Sequence, residues 1–190
     1  MTKATAVQYE AARKPLANAL NEIEWTTGKL QDLLAQVPQG PIVYRLRWKS
    51  PTSRVAGQDD DGTLYIGETG FGRVRIKTFV SAARRGDASH RAGIDYYAYN
   101  LHNQFPLDEV LLDYVAVKEK HHAEDIELAL IEEYRWRFKE NPPMNGSQGK
   151  WRKVEFWIEA SHAGRQARKP EPYDGWLNIG DLIPQWLVHP

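Results

Sequence analysis

The chain has 190 residues, enough for one domain with appendages, and its 42% hydrophobic and 26% charged composition is that of an ordinary globular protein. It contains no cysteine, which excludes disulfides, thiolate metal sites and a cysteine nucleophile. The net charge is +0, against indiscriminate polyanion binding, and no window approaches a membrane span or a signal-like apolar core, so a cytoplasmic location is expected.

Residues 1–37 place Leu16, Leu20, Ile23, Leu30, Leu33, Leu34 and Val37 at helical spacing. This predicts one or two amphipathic helices, interrupted around 26–28, as an N-terminal extension. After a PQGP turn, PIVYRLRW (41–48) alternates as a strand, with Ile42, Tyr44, Leu46 and Trp48 on one side and Val43, Arg45 and Arg47 on the other. SPTSRVAGQDDDG reads as a polar loop and TLYIG as the second strand of a hairpin, with Gly67 and the glycines at 70 and 72 forming a turn or a close approach. GFGRVRIKTFVSAAR predicts a helix ending at 84–86. A polar loop, ASHRAG, precedes a short helix or irregular segment over IDYYAYNLHNQF. DEVLLDYVAVK is a third strand, and AEDIELALIEEYRWRF a strong helix with Ile126, Leu130, Ile131 and Tyr134 at core spacing, stopped by two prolines. Beyond it lie a strand-like KVEFWIEA, a basic Pro-rich linker and an apolar tail.

Charge is sorted along the chain. Residues 73–91 carry six Lys/Arg against Asp87 alone, and 150–169 carry six against Glu155 and Glu159. Residues 108–140 reverse this, with ten acids and five bases. Such sorting produces a basic face on a neutral molecule if the fold brings the two basic stretches together, and otherwise leaves unrelated solvated surfaces.

Three polar features sit at the joints of hairpin, helix, strand and helix. Tyr44 and Tyr65 lie on paired strands, where both phenols can face one cleft. Arg75 follows Tyr65 across the glycine turn, as in a phosphate site or an ordinary strand-to-helix connection. Glu127 sits on a helix with an apolar face, either as a site carboxylate or as a solvated one. His90 is open between a proton relay from Tyr44, a phosphate grip and an exposed loop histidine. His121, His122 and Asp125 read as a helix-capping region or a His/Asp metal site.

PIVY at 41–44, LYIG at 64–67, Arg75, the pattern of Glu127, Leu130 and Ile131, and PPMN ending at Asn145 resemble the GIY-YIG nuclease superfamily. That group includes homing endonucleases, the nuclease subunit of bacterial excision repair and several restriction enzymes. The first motif reads IVY in this chain, without its opening glycine. The resemblance implies an α+β fold, a small antiparallel three-stranded sheet flanked by helices over 38–146. Residues 1–37 are then an N-terminal helical extension, and 147–190 a C-terminal extension that contacts DNA.

It further implies catalytic roles for Tyr44, Tyr65, Arg75, Glu127 and Asn145. Tyr44 helps to activate the attacking water, and Tyr65 orders that water or the scissile phosphate. Arg75 neutralises phosphate charge. Glu127, or its neighbour Glu124, holds one Mg²⁺ or Mn²⁺, and Asn145 closes the site. His90 stands beside this set as a candidate, open between a relay from Tyr44, a phosphate grip and an exposed loop histidine. The implied activity is a divalent-metal-dependent DNA endonuclease hydrolysing phosphodiester bonds in double-stranded DNA, of restriction or repair type, with a homodimer compatible with one site per chain. The alternative is a nuclease fold that binds nucleic acid or protein without cutting.

Overall fold

The computed structural model describes residues 20–87 and 89–145. The expectations for residues 1–19, the strand-like segment near 155 and the basic stretch 150–169 lie outside the described residues. Ile23–Asn145 forms one compact unit, so the segment before residue 38 contributes elements to it.

In chain order the elements are β1 (Thr26–Lys29), a single turn α1 (Leu30–Leu33), β2 (Ile42–Arg47), β3 (Thr52–Arg54), β4 (Gly57–Asp59) and β5 (Thr63–Thr69). There follow α2 (Gly72–Arg85), α3 (Arg91–Ala98), a 3₁₀ turn at Leu101–Asn103, β6 (Leu111–Ala116) and α4 (Lys120–Phe138). The fold is α+β, as the sequence implies, but the main sheet has four antiparallel strands in the order β1-β6-β2-β5, not three. The added strand is the segment expected to break the N-terminal helices: Thr26 to Lys29 pair with Tyr114 to Leu111. Its side chains are mostly exposed. Backbone pairing to the edge of β6 therefore holds it, a force that leaves no apolar pattern in the sequence. The polar loop after β2 likewise contains the small β3–β4 hairpin, whose register is Thr52↔Asp59.

β2 lies between β6 and β5 and organises both faces. Ile42, Tyr44 and Leu46 are fully buried on one face, packed with Leu112 and Tyr114 of β6, with Ile76, Phe79, Val80 and Ala83 of α2, and with Ala92 and Tyr96 of α3. Ile66 alternates to the opposite face and packs against Ile131, Tyr134 and Phe138 of α4. The apolar spacing that predicts α4 is thus the spacing that docks it on the sheet. α2 ends where the sequence stops it: Gly86 takes a left-handed φ of 70° and returns its N–H to the Ala82 carbonyl.

The outer edge of β5 is covered by the residues that follow α4. The Met144 N–H donates to the Leu64 carbonyl at 2.9 Å. The side-chain amide of Asn145 accepts from the Ile66 N–H at 2.8 Å and donates to the Ile66 carbonyl at 2.7 Å. One asparagine thus stands in for a strand partner and occupies an otherwise unpaired edge.

On the face away from Tyr44, Asp113 is 0% exposed and lies directly opposite Arg45. Arg45 reaches it at 2.7 Å, and Arg47 makes a fork with Nε at 2.5 Å and Nη2 at 2.9 Å. The Arg45 guanidinium also stacks 4.4 Å from the Trp25 ring centroid. A buried carboxylate between two arginines ties β2 to β6, and truncating it strands two cations in a low-dielectric site. Asp113→Ala is expected to destabilise folding by about 3–5 kcal/mol, read by urea unfolding. A loss under about 1 kcal/mol would show the arginines re-solvated without cost.

Candidate active site

The site is built on the buried face of the β2–β5 hairpin. Tyr44 pairs with Gly67, and Leu46 with Tyr65, so Tyr44 and Tyr65 are diagonal neighbours on one face, their ring centroids 5.8 Å apart. Gly67 lies inside β5 and is not a turn residue, which corrects half of its sequence reading. Its other half, close approach, is what the structure shows. A Cβ at Gly67 would lie 2.8 Å from the Tyr44 Cζ and hydroxyl oxygen and 2.6 Å from Tyr65 Cε1. The missing side chain is the notch into which both phenols fold. Both rings are held by rigid neighbours in a closely packed region, so Gly67→Ala is expected to cost about 1–3 kcal/mol in unfolding free energy. It should also shift the near-ultraviolet tyrosine circular dichroism. An unchanged spectrum would mean the rings move aside freely.

The turn after β5 starts α2 with its first amides already engaged. The Gly72 N–H donates to the Gly40 carbonyl and the Arg73 N–H to the Pro38 carbonyl, both at 2.9 Å. Arg73 and Arg75 then diverge. The Arg73 side chain turns away to donate to the Val37 carbonyl at 2.9 Å. Arg75 turns towards Tyr44 and Tyr65, whose partnership raises its pKa against the opposing effect of burial, so it remains a cation. Its Nε is shielded from solvent and has no hydrogen-bond partner among the described residues.

His90 is the residue whose surroundings the polar sequence ASHRAG conceals. It is 1% exposed, with its Nε2 3.1 Å from the Tyr44 hydroxyl. Its ring is contacted edge-on by Phe79 at 5.3 Å and Tyr65 at 5.9 Å. As N-cap of α3, its Nδ1 accepts the Gly93 N–H at 3.4 Å.

Burial raises Tyr44 well above the ordinary phenol value, with the Tyr65 charge adding to it and Arg75 opposing. Burial also raises Tyr65, helped by the Glu127 carboxylate, while Arg75 and hydrogen bonding with Tyr44 pull it down. Glu127 on α4 is therefore near enough for its field to reach both phenols. Asn145, by contrast, spends both amide atoms on the backbone of Ile66, next to Tyr65. It positions the strand.

Among the described residues no three or more His, Cys, Asp or Glu converge as a metal site. His121 instead pairs with Glu119 at 3.2 Å, and Lys120 with Glu124 at 2.8 Å. Glu127, whose field reaches both phenols, is a carboxylate that could hold a divalent ion together with water. That set fits Mg²⁺, which keeps most of its hydration shell and takes one or two carboxylates. It also fits the electrostatics, because a cation at Glu127 reverses the sign of the field that disfavours both phenolates.

Sequence reasoning missed two supporting networks. Asp59 is 1% exposed and accepts from the Thr63 N–H at 2.8 Å, the Asp61 N–H at 3.1 Å and the Tyr134 hydroxyl at 3.0 Å, tying the β3–β4 hairpin to α4. The other is Asp113 with Arg45 and Arg47. A lone acid in the apolar run LLDYVA was its signal. No family model, no curated protein and no solved structure matches the chain.

Burial and the nearby Arg75 charge lower His90 to about 3, against a smaller pull from its own backbone. The group is neutral in the folded chain and protonates near pH 6.5 when unfolded. Its contribution is therefore full above pH 6.5 and is lost as the pH falls from there towards 3. The unfolding free energy of the wild type is expected to fall by about 1.4 kcal/mol per pH unit more steeply than that of His90→Gln below pH 6. Parallel slopes would place a solvated, titrating histidine at this position.

Proposed function

We propose that the chain is a divalent-metal-dependent endonuclease that hydrolyses phosphodiester bonds in DNA, of the restriction or repair type. The observation that carries this reading is the convergence of Arg75 on the two phenols that the GIY-YIG resemblance pairs. Arg75 is a half-buried cation beside both phenols, and its planar guanidinium fork suits the oxygens of a phosphate diester.

The chain's residues act on the substrate as follows. Arg75 holds the scissile phosphate and neutralises the charge that grows on its oxygens as a fifth oxygen approaches. Tyr65, the less buried phenol, orients the attacking water, and the Tyr44 ring packs against it at 5.8 Å. A divalent ion, when bound at Glu127, supplies positive charge to the phosphate and to the phenols. Both phenols are raised in its absence. Proton removal by a tyrosine near neutral pH therefore depends on cationic partners, and Arg75 is a cation that lowers both phenols.

Supercoiled plasmid incubated with the full chain tests this. Cleavage with Mg²⁺, none with EDTA, and a rate loss of about 10²-fold or more in Arg75→Ala are expected. The exposed Lys77→Ala is the control and should cut at the wild-type rate. Retention of DNA without cleavage under any divalent ion would support the non-cutting alternative. Loss in Lys77→Ala with activity kept in Arg75→Ala would place the phosphate elsewhere on α2.

A further inference from the structure

We infer that His90 is a positioning residue that only donates: its Nδ1 is committed as the acceptor that caps α3, so its Nε2 carries the proton and gives it to the Tyr44 oxygen. A neutral imidazole has one donor and one acceptor nitrogen. The Nδ1 faces the Gly93 N–H, itself a donor, at 3.4 Å. A proton on Nδ1 would set two donors against each other in a buried site and leave the first turn of α3 uncapped. The Nε2–H form satisfies both contacts, with the Tyr44 hydroxyl 3.1 Å away as acceptor.

The Tyr44 oxygen then accepts from His90, with the Arg75 cation also beside it. That leaves the phenol's own proton to turn towards Tyr65, whose ring centroid lies 5.8 Å away. A relay in the opposite sense, with His90 taking the phenol proton, needs a bare Nε2.

The groups facing the ring argue the same way. Tyr44 comes from β2, Tyr65 from β5, Phe79 and the Arg75 cation from α2, and the Gly93 amide from α3 itself. The charge that acts on the ring is positive, and Glu127 from α4 acts on the two phenols. An imidazolium beside a guanidinium in a buried site is disfavoured twice, by desolvation and by like charge.

The effect on cleavage rests on the nuclease reading, whereas the tautomer does not. Nitrogen-15 NMR of the histidine rings in the full chain, assigned by loss of signal in His90→Asn, reads the tautomer directly. A bare Nδ1 and a protonated Nε2 from pH 8 to pH 5 are expected. Two substitutions that cannot take up a proton then separate donor from acceptor. In His90→Gln the amide reaches towards Tyr44 as a donor. In His90→Asn the carbonyl keeps the cap and stops short of the phenol. Glutamine is expected to keep kcat within about 3-fold, and asparagine to lose about 10-fold in kcat at unchanged KM, the size of one hydrogen bond. A protonated Nδ1, an imidazolium at pH 6, or glutamine as inactive as asparagine overturns the inference. If the chain cleaves nothing, the nuclease reading fails and the ring measurement alone decides: a bare Nδ1 upholds the assignment and a protonated one overturns it.

Discussion

Tyr44 carries a hydroxyl into the centre of the domain, and the neighbouring elements are arranged around satisfying it. The residue is 0% exposed on the central strand β2. A phenol there without partners would cost several kcal/mol, of the order seen for any unsatisfied buried hydroxyl. The partners come from different elements: His90 from the start of α3, Arg75 from the first turn of α2 and Tyr65 from β5. Each arrives only if its element docks correctly, so the hydroxyl couples local structure to tertiary register. Gly67 makes the arrangement sterically feasible, since any side chain there would occupy the space of the two rings. Slipping β5 by one residue would replace that notch with Ile66 or Glu68 and turn Tyr65 to the opposite face.

What the sequence made legible was whatever writes a side-chain period. β2, β5, α2 and α4 follow alternating or helical apolar spacing, and they supply Tyr44, Tyr65, Arg75 and Glu127. What it hid depends on backbone pairing or on burial delivered from afar. β1 is mostly exposed and is held by main-chain bonds to β6, so TTGK reads as a break. The β3–β4 hairpin is anchored by Asp59, whose role emerges only when Tyr134 arrives from α4. His90 sits in a polar stretch and is buried by Phe79, Tyr65 and Tyr44, residues from three other elements. Asn145 was legible as a motif residue, but its hydrogen bonds to Ile66 are properties of a closed fold.

Charge sorting along the chain shows the same limit more sharply. In the basic stretch 73–91, Arg73 is spent on the Val37 carbonyl, Arg75 faces the phenols, Arg85 meets Ser81 and Asp87, and Arg91 pairs with Asp95. Lys77 and Arg84 are exposed outside these pairs, and Arg85 and Arg91 are exposed but paired, which is less free charge than a linear count of six suggests. The acidic stretch 108–140 is similarly consumed: Asp113 is enclosed by Arg45 and Arg47, and Glu132 is paired with Arg135. Net charge along a segment predicts a field only where side chains are free to point the same way. Here most of them point at each other.

That economy leaves Arg75 in an unusual position. Two phenols, Tyr44 and Tyr65, hydrogen-bond it, whereas Arg45 and Arg47 are tied to the buried Asp113 carboxylate. A guanidinium locked to Asp113 has little charge left to offer an incoming anion. One held by hydroxyls keeps nearly all of it, in a setting where it is already half-desolvated. Glu127 is close enough to raise both phenols, which the Arg75 charge lowers. The carboxylate and the guanidinium thus act on the same two tyrosines with opposite sign. An anion arriving at Arg75 and a cation arriving at Glu127 would each relieve the charge that the other introduces, so each is expected to favour the binding of the other.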